Sequence, residues 1–253
     1  MPILPGQETA AIYVGPRRDS GAAGTGMEHG AGEMVAFYAA WVGREEQIVA
    51  NLTDALRAPR RRDVLAPLVD AAVDHVSEYY EHKARLADRD VVAALDPHWL
   101  NPLERTFLWA WGWKPALVFR FADGDVVAGG SHAHQQRRAL ERLRAATVEA
   151  EREVDREVVA LQESLAGPRV LAALCRQHPR NGEADEAVAA VGRSLRVLLA
   201  AADALRERTV RDIVGTLAPD QAGAFLAAMM RFHLGVHRAG RNWGSGNGGR
   251  RGL

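Results

Sequence analysis

The sequence predicts an all-α protein: a bundle of long antiparallel helices with short connecting helices, and disordered N- and C-terminal tails. Three observations carry this expectation. Apolar residues recur at spacings of three and four over most of the chain, the mark of one buried stripe on each helix. No segment alternates apolar and polar residues for long enough to make a strand; ALVFRF, residues 116–121, is the one candidate, and it is too short to decide. Clusters of Pro and Gly fall between the periodic segments, where helices must stop.

The elements follow in order. Residues 1–31 are rich in Gly, Ala and Pro without a sustained period, and read as a disordered tail. The first helix is expected from Gly32, with Met34, Tyr38, Trp41, Ile48, Leu52 and Leu56 on one stripe. RAPRRRD, which contains Pro59, ends it. A second helix carries Leu65, Leu68, Ala72, Val76, Tyr79, Lys83 and Leu86, and Asp96-Pro97 stops that run. A short helix begins at Pro102, because Pro suits a first turn and Asn101 can cap it; Gly112 and Pro115 end it.

ADGDVVAGGS, residues 122–131, reads as a flexible loop. From His132 to Leu165 a long helix has the seam Leu140, Leu143, Thr147, Ala150, Val154 and Val158. Glu149, Glu151, Arg152, Glu153, Asp155, Arg156 and Glu157 are expected on its solvated face. GPRV interrupts it, and HPRNGE makes a second loop. Val188, Val191, Leu195, Leu198, Ala202 and Leu205 mark the next helix. Pro219 opens the last, which is expected to end at Gly240, ahead of a disordered Gly-rich tail over 241–253. One helical domain over 32–240 results, its heptad-like seams favouring shallow crossing angles.

Composition bounds the function. The chain has 253 residues, 47% hydrophobic and 25% charged, enough to bury a sizeable core. Its 32 basic and 32 acidic residues cancel, so the whole molecule exerts no pull on nucleic acid or an anionic membrane. Cys175 stands alone, which excludes an intramolecular disulfide and a cysteine-based zinc site. There is no signal-peptide pattern and no apolar run of membrane-spanning length, so a soluble, intracellular protein is expected.

Signatures of catalysis are missing from the sequence: no Walker loop, no G-x-G-x-x-G after a strand, no G-x-S-x-G, no H-E-x-x-H. The chain is read as a non-enzyme. His132 and His134 are expected in water, and the arginines of residues 57–62 are a weak phosphate signal. Glu104 and Arg105 are assigned structural roles, Glu104 favoured by the helix dipole. His233 and His237 stand out, because they are four apart on the last helix and so project from one face, flanked by Met229, Met230 and Phe232. Spacing alone leaves two readings: half-buried histidines with hydrogen-bond partners, or ligands.

Four of the six tryptophans fall in HWLNPLERTFLWAWGWKPALVFRF, residues 98–121. With AFYAAWVGREEQIVANL and HVSEYYEHKARLADRDV before it and LAPDQAGAFLAAMMRFHLGVH after it, this segment resembles the delay-of-germination, or seed dormancy control, domain of plants. Plant TGA transcription factors carry the same domain. The likeness runs from Glu33 to Gly240, and its core is Trp99, Pro102, Glu104, Arg105, Phe107, Leu108, Trp109, Gly112, Trp113, Lys114 and Pro115. The first 31 residues lack the basic helix and heptad leucines of a TGA zipper, so the chain resembles the zipper-less type.

The resemblance implies a regulator of seed dormancy and germination in abscisic-acid signalling, in the nucleus and cytoplasm with the nucleus favoured. It implies binding to type 2C protein phosphatases through the N-terminal segment. Phe37, Trp41 and Gln47 of the first helix are expected on that surface, aromatic rings being common interface anchors. It implies haem contact at His233 and His237. One of the pair is expected to ligate iron while the other shields the site, or each ligates in a different molecule and haem bridges a homodimer. The tryptophans are expected to pin a short helix between longer ones. A second reading is a transcription regulator with sequence-specific DNA binding, directly or through a TGA-type bZIP partner.

Overall fold

The computed structural model describes residues 24–57, 64–122, 133–175 and 183–244. Three long helices and two shorter ones build the bundle among the described residues: α1 (Gly24–Arg57), α2 (Leu65–Arg89), α5 (Ala133–Leu165), α7 (Glu183–Thr216) and α8 (Pro219–Gly244). Short pieces connect them: α3 (Val91–Leu95), α4 (Pro102–Arg105), β1 (Leu108–Trp109), β2 (Gly112–Trp113), a 3-10 helix (Pro115–Phe121) and α6 (Pro168–Cys175). The all-α expectation holds, with differences at the ends. α1 begins at Gly24 rather than Gly32, and α8 continues to Gly244 past Gly240. The remaining tail residues, the arginine-rich link, His132 and most of the two expected loops lie outside the described residues. His134 belongs to α5, where it is exposed.

α8 is central because its apolar stripe is wide. Ala222, Phe225, Leu226, Ala227 and Met230 are buried against Leu52 of α1, Val69 and Ala72 of α2, Phe119 of the 3-10 helix and Ile213 of α7. Fully burying a ring such as Phe225 contributes about 1.5–3 kcal/mol. A second cluster joins Met34, Tyr38, Trp41 and Val42 of α1 to Leu86 of α2, Trp99, Leu100 and Leu234. A third joins α5 to α7 through Val154, Leu198, Ala202 and Leu205, with Trp109 and Trp111 packed against it.

The short helix from Pro102 starts as its sequence dictates. Asn101 accepts from the backbone N–H groups of Leu103 and Glu104, and the Glu104 side chain reaches back to the Asn101 N–H at 2.7 Å, closing a capping box. It ends after one turn, at Arg105, not near Lys114. The chain then forms a two-stranded hairpin, with Leu108 opposite Trp113 and Trp109 opposite Gly112. ALVFRF is part of a 3-10 helix, not a strand. One charged residue assigned to solvent also differs. Glu151 is buried, accepts from the Ala116 N–H at 2.6 Å and lies 3.7 Å from Lys114; burial raises its pKa.

Candidate functional site

His233 and His237 sit on α8 where it meets α1 and α4, their ring centroids 6.5 Å apart and tilted by 37°. Each is held by a buried carboxylate. His233 Nδ1 lies 2.6 Å from Glu45 Oε2, and His237 Nδ1 lies 2.9 Å from Glu104 Oε1. Tyr38 joins the two halves: its hydroxyl donates to Glu104 Oε1 at 2.7 Å and lies 3.0 Å from His233 Nε2. Asn101 closes the group by donating to the His237 carbonyl at 3.1 Å.

Counting protons assigns the charges. The single hydroxyl proton of Tyr38 goes to Glu104, so the Tyr38 oxygen accepts from His233 Nε2–H. His233 Nδ1–H goes to Glu45. Both ring nitrogens then donate, and His233 is an imidazolium. Its pKa moves accordingly: burial pushes it down, but the hydrogen bond and charge of Glu45, aided by Glu104, outweigh burial and the net direction is up. Tyr38 is pushed up, by burial first and by the charge of Glu104 second, so it keeps its proton. His237 spends Nδ1 on Glu104 and leaves Nε2 as its second nitrogen.

This arrangement does not fit a haem held between the two histidines. Glu104 Oε1 occupies the space between the rings, 2.9 Å from His237 Nδ1 and 3.7 Å from His233 Nε2. Both nitrogens of His233 are committed. Met230, expected as cover for a cofactor, is wholly buried in the main core. The adjoining cavity is about 120 Å³, well under the roughly 300–1,000 Å³ of pockets that enclose larger ligands. A lone axial contact can fall only to His237 Nε2, whose Nδ1–carboxylate bond is the usual support for a ligating imidazole. Among the described residues no group of three or more His, Cys, Asp or Glu could hold a metal ion.

The three residues expected at a partner surface do not share one. Trp41 is 7% exposed, donates its indole N–H to the His75 carbonyl at 2.8 Å and stacks on the His75 ring at 4.4 Å. It is a core residue, since it lies on the stripe of Met34 and Tyr38 that faces inward. Phe37, at the edge of that stripe, is half-buried and stacks on His82 of α2 at 3.6 Å, with the Arg44 guanidinium 5.9 Å from its ring. Gln47 is exposed and donates to Asn51 Oδ1 at 3.0 Å.

The tryptophan segment is held from the other side. Arg206 of α7 donates Nε to the Trp113 carbonyl at 2.7 Å and Nη2 to the Ala110 carbonyl at 2.7 Å, and it also bonds the Trp109 carbonyl and Asp203. Lys83 of α2 donates to the Trp111 carbonyl at 2.8 Å and pairs with Asp203 at 3.1 Å. Burial pushes Lys83 down to about 8 despite Asp203. The hairpin needs this grip, because Ala110 and Trp111 at its turn have φ of 41° and 61°, a left-handed conformation that costs an L-residue about 1–2 kcal/mol. Gly112 admits the guanidinium: a Cβ there would stand 2.6 Å from Arg206 Cζ. Trp109 Nε1 donates to exposed Asp155 at 2.7 Å, and the buried Trp99 donates Nε1 to the Tyr79 hydroxyl of α2 at 3.3 Å. Trp109 and Trp111 thus pin a hairpin to α5 and α7 rather than a helix between helices.

Glu45, Glu104, Lys83, Asp203 and Arg206 are the polar residues that organise this interior, and each is committed to partners within the protein. Such a molecule is a helical scaffold whose buried charges are answered from within. Comparison with known proteins gives the family. The family model for seed dormancy control (DOG1) matches residues 48–123. Protein DOG1-like 4 of Arabidopsis thaliana is 30% identical over 209 residues, covering 81% of this chain and 90% of that protein. Protein RESPONSE TO ABA AND SALT 1, also of Arabidopsis thaliana, is 30% identical over 66% of this chain and 75% of its own length. Transcription factor TGA2.3 of Oryza sativa is 28% identical over 51% of this chain and 38% of that protein. The chain belongs to the seed dormancy control (DOG1) family.

Proposed function

We propose that this protein regulates abscisic-acid signalling by binding a type 2C protein phosphatase through the outer face of α1. The observation that carries the reading is the Phe37–His82–Arg44 stack, an aromatic platform left half-exposed where α1 lies along α2. Gln47, three residues beyond Arg44, continues that face and is exposed. A relative whose name records a response to abscisic acid and salt supports the signalling context. Trp41 supports the face from beneath. Titration calorimetry against a type 2C phosphatase tests the reading. Phe37→Ala with Gln47→Ala weakens binding by about tenfold or more while helicity stays at the wild-type level. Wild-type affinity in that double variant would sink the proposal.

Haem contact, in the same reading, goes through His237 Nε2 alone. His237→Ala abolishes a Soret band developed on adding haem, whereas Glu104→Gln weakens it by loosening the imidazole. A wild-type band in His237→Ala removes haem from this helix. The TGA relative favours a second reading, in which the domain meets TGA-type factors in the nucleus and reaches DNA through them. Direct contact with DNA would weaken steeply as salt rises; retention on DNA only when a bZIP partner is present supports the indirect route.

A further inference from the structure

Between α1, α2, the 3-10 helix, α7 and α8 lies a cavity of about 120 Å³ whose walls are mostly rings and thioethers, among them Tyr38, Trp41, Tyr80, Trp113, Phe121 and Met229. It explains an oddity of the packing. Val76, Tyr79, Val118 and Met229 pack against the core clusters, yet none of them is fully buried. They fall short because they face this space.

Water is a poor occupant. An ordered buried water wants two to four polar partners, and apolar holes of about 150 Å³ stay dry and accept benzene-sized molecules. The polar side chains around this cavity are mostly spent. Glu45 is paired with His233, Arg206 with Asp203 and the hairpin carbonyls, and Lys114 with Glu151. The exceptions are the Tyr80 hydroxyl and the Trp113 indole N–H, neither of which has a hydrogen-bond partner among the described residues. Burial pushes Tyr80 far above the usual phenol range, so the hydroxyl remains a donor.

We propose that this cavity binds a neutral, planar, one-ring aromatic molecule that carries a single hydrogen-bond acceptor for the Tyr80 hydroxyl. Aromatic walls favour a flat ring placed offset or edge-on. A charged ligand is disfavoured, because the ions that could answer it are already paired and an unanswered buried charge is costly. Phe232, 43% exposed, marks the rim. The site faces inward, away from the outer face of α1, and stands independently of phosphatase binding.

Acetophenone is the probe, and ethylbenzene is its counterpart without the acceptor. With 13C-methyl methionine labelling, acetophenone shifts the Met229 and Met230 resonances and leaves Met34, which does not line the cavity, in place. Tyr80→Phe weakens acetophenone about fivefold, the worth of one net hydrogen bond, and leaves ethylbenzene affinity unchanged. Val118→Trp fills the space and abolishes both shifts; Val76→Phe does the same if the first variant does not fold. Absence of any shift at millimolar probe, equal shifts at Met34, or undiminished binding in the filled variant that folds would each overturn the site. Equal loss of both probes in Tyr80→Phe would overturn the assignment of the acceptor.

Discussion

The Arg206 clamp and the His233 cluster are both buried and both join elements far apart in sequence, but they bond to different things. Arg206 and Lys83 give most of their protons to backbone carbonyls of one six-residue hairpin, Leu108–Trp113. His233, Glu45, Tyr38, Glu104 and His237 bond side chain to side chain across three helices. A guanidinium on carbonyls fixes the path of a chain and does not titrate near neutrality. A carboxylate–imidazole cluster fixes the mutual position of helices and responds to protons. The protein uses the first device where local conformation is strained, and the second where long helices meet.

The comparison breaks most sharply at Arg206. Arg206→Ala leaves Asp203 with Lys83 alone and strips three carbonyls of their donor. Loss of one partner of a buried ion pair costs about 3–5 kcal/mol, read as a lower urea midpoint. Trp109 emission should shift to the red as the hairpin comes away.

Two histidines sharpen the other side through pH. His75 is pushed down to about 4, by burial first, and its Nε2 has no partner. As pH falls from about 6.5 to about 4 the unfolded chain takes up a proton that the folded chain refuses, so stability drops by about 3 kcal/mol. His233 acts in the opposite sense, its folded pKa being raised. Its contribution is complete below about pH 6.5 and is lost as pH rises through the folded value. Unfolding free energy measured against pH should therefore peak near 6.5. His75→Phe flattens the acid limb and His233→Gln flattens the alkaline limb; a profile that keeps both limbs in both variants contradicts the assignment.

Gly112→Ala places a Cβ 2.6 Å from Arg206 Cζ. The guanidinium must shift, at about 2 kcal/mol, and a thermal melt should report it without loss of the α1–α8 bonds. Gly240→Ala is smaller. Its Cβ would meet Asn101 Oδ1 at 1.8 Å, so Asn101 swings away and α4 loses its cap, worth about 1 kcal/mol.

Much of this fold is legible in the spacing of apolar residues, because long helices bury one stripe each. The start of α4 is legible too, since Asn101 and Pro102 act locally. The hairpin is not: two residues per strand cannot show alternation, and its donors come from Arg206 and Lys83, far along the chain. The buried carboxylates are hidden for the same reason, as charged residues read as solvated until a distant partner is known. Position gives one usable signal. Glu45 lies four after Trp41 and three before Ile48, and Glu151 lies four after Thr147 and three before Val154, so each interrupts an apolar stripe rather than facing away from it. Lys83, on the stripe of Tyr79 and Leu86, is buried just as that placement requires.

The turn at Ala110 and Trp111 has a consequence for the order in which the chain folds. Its left-handed residues oppose it locally, and the guanidinium that holds it lies 93 to 97 residues away in sequence. Closing so long a loop comes at an entropic cost that must be met before the contact can repay it. The segment richest in tryptophan should therefore be among the last to find its shape, waiting on a helix synthesised long after it.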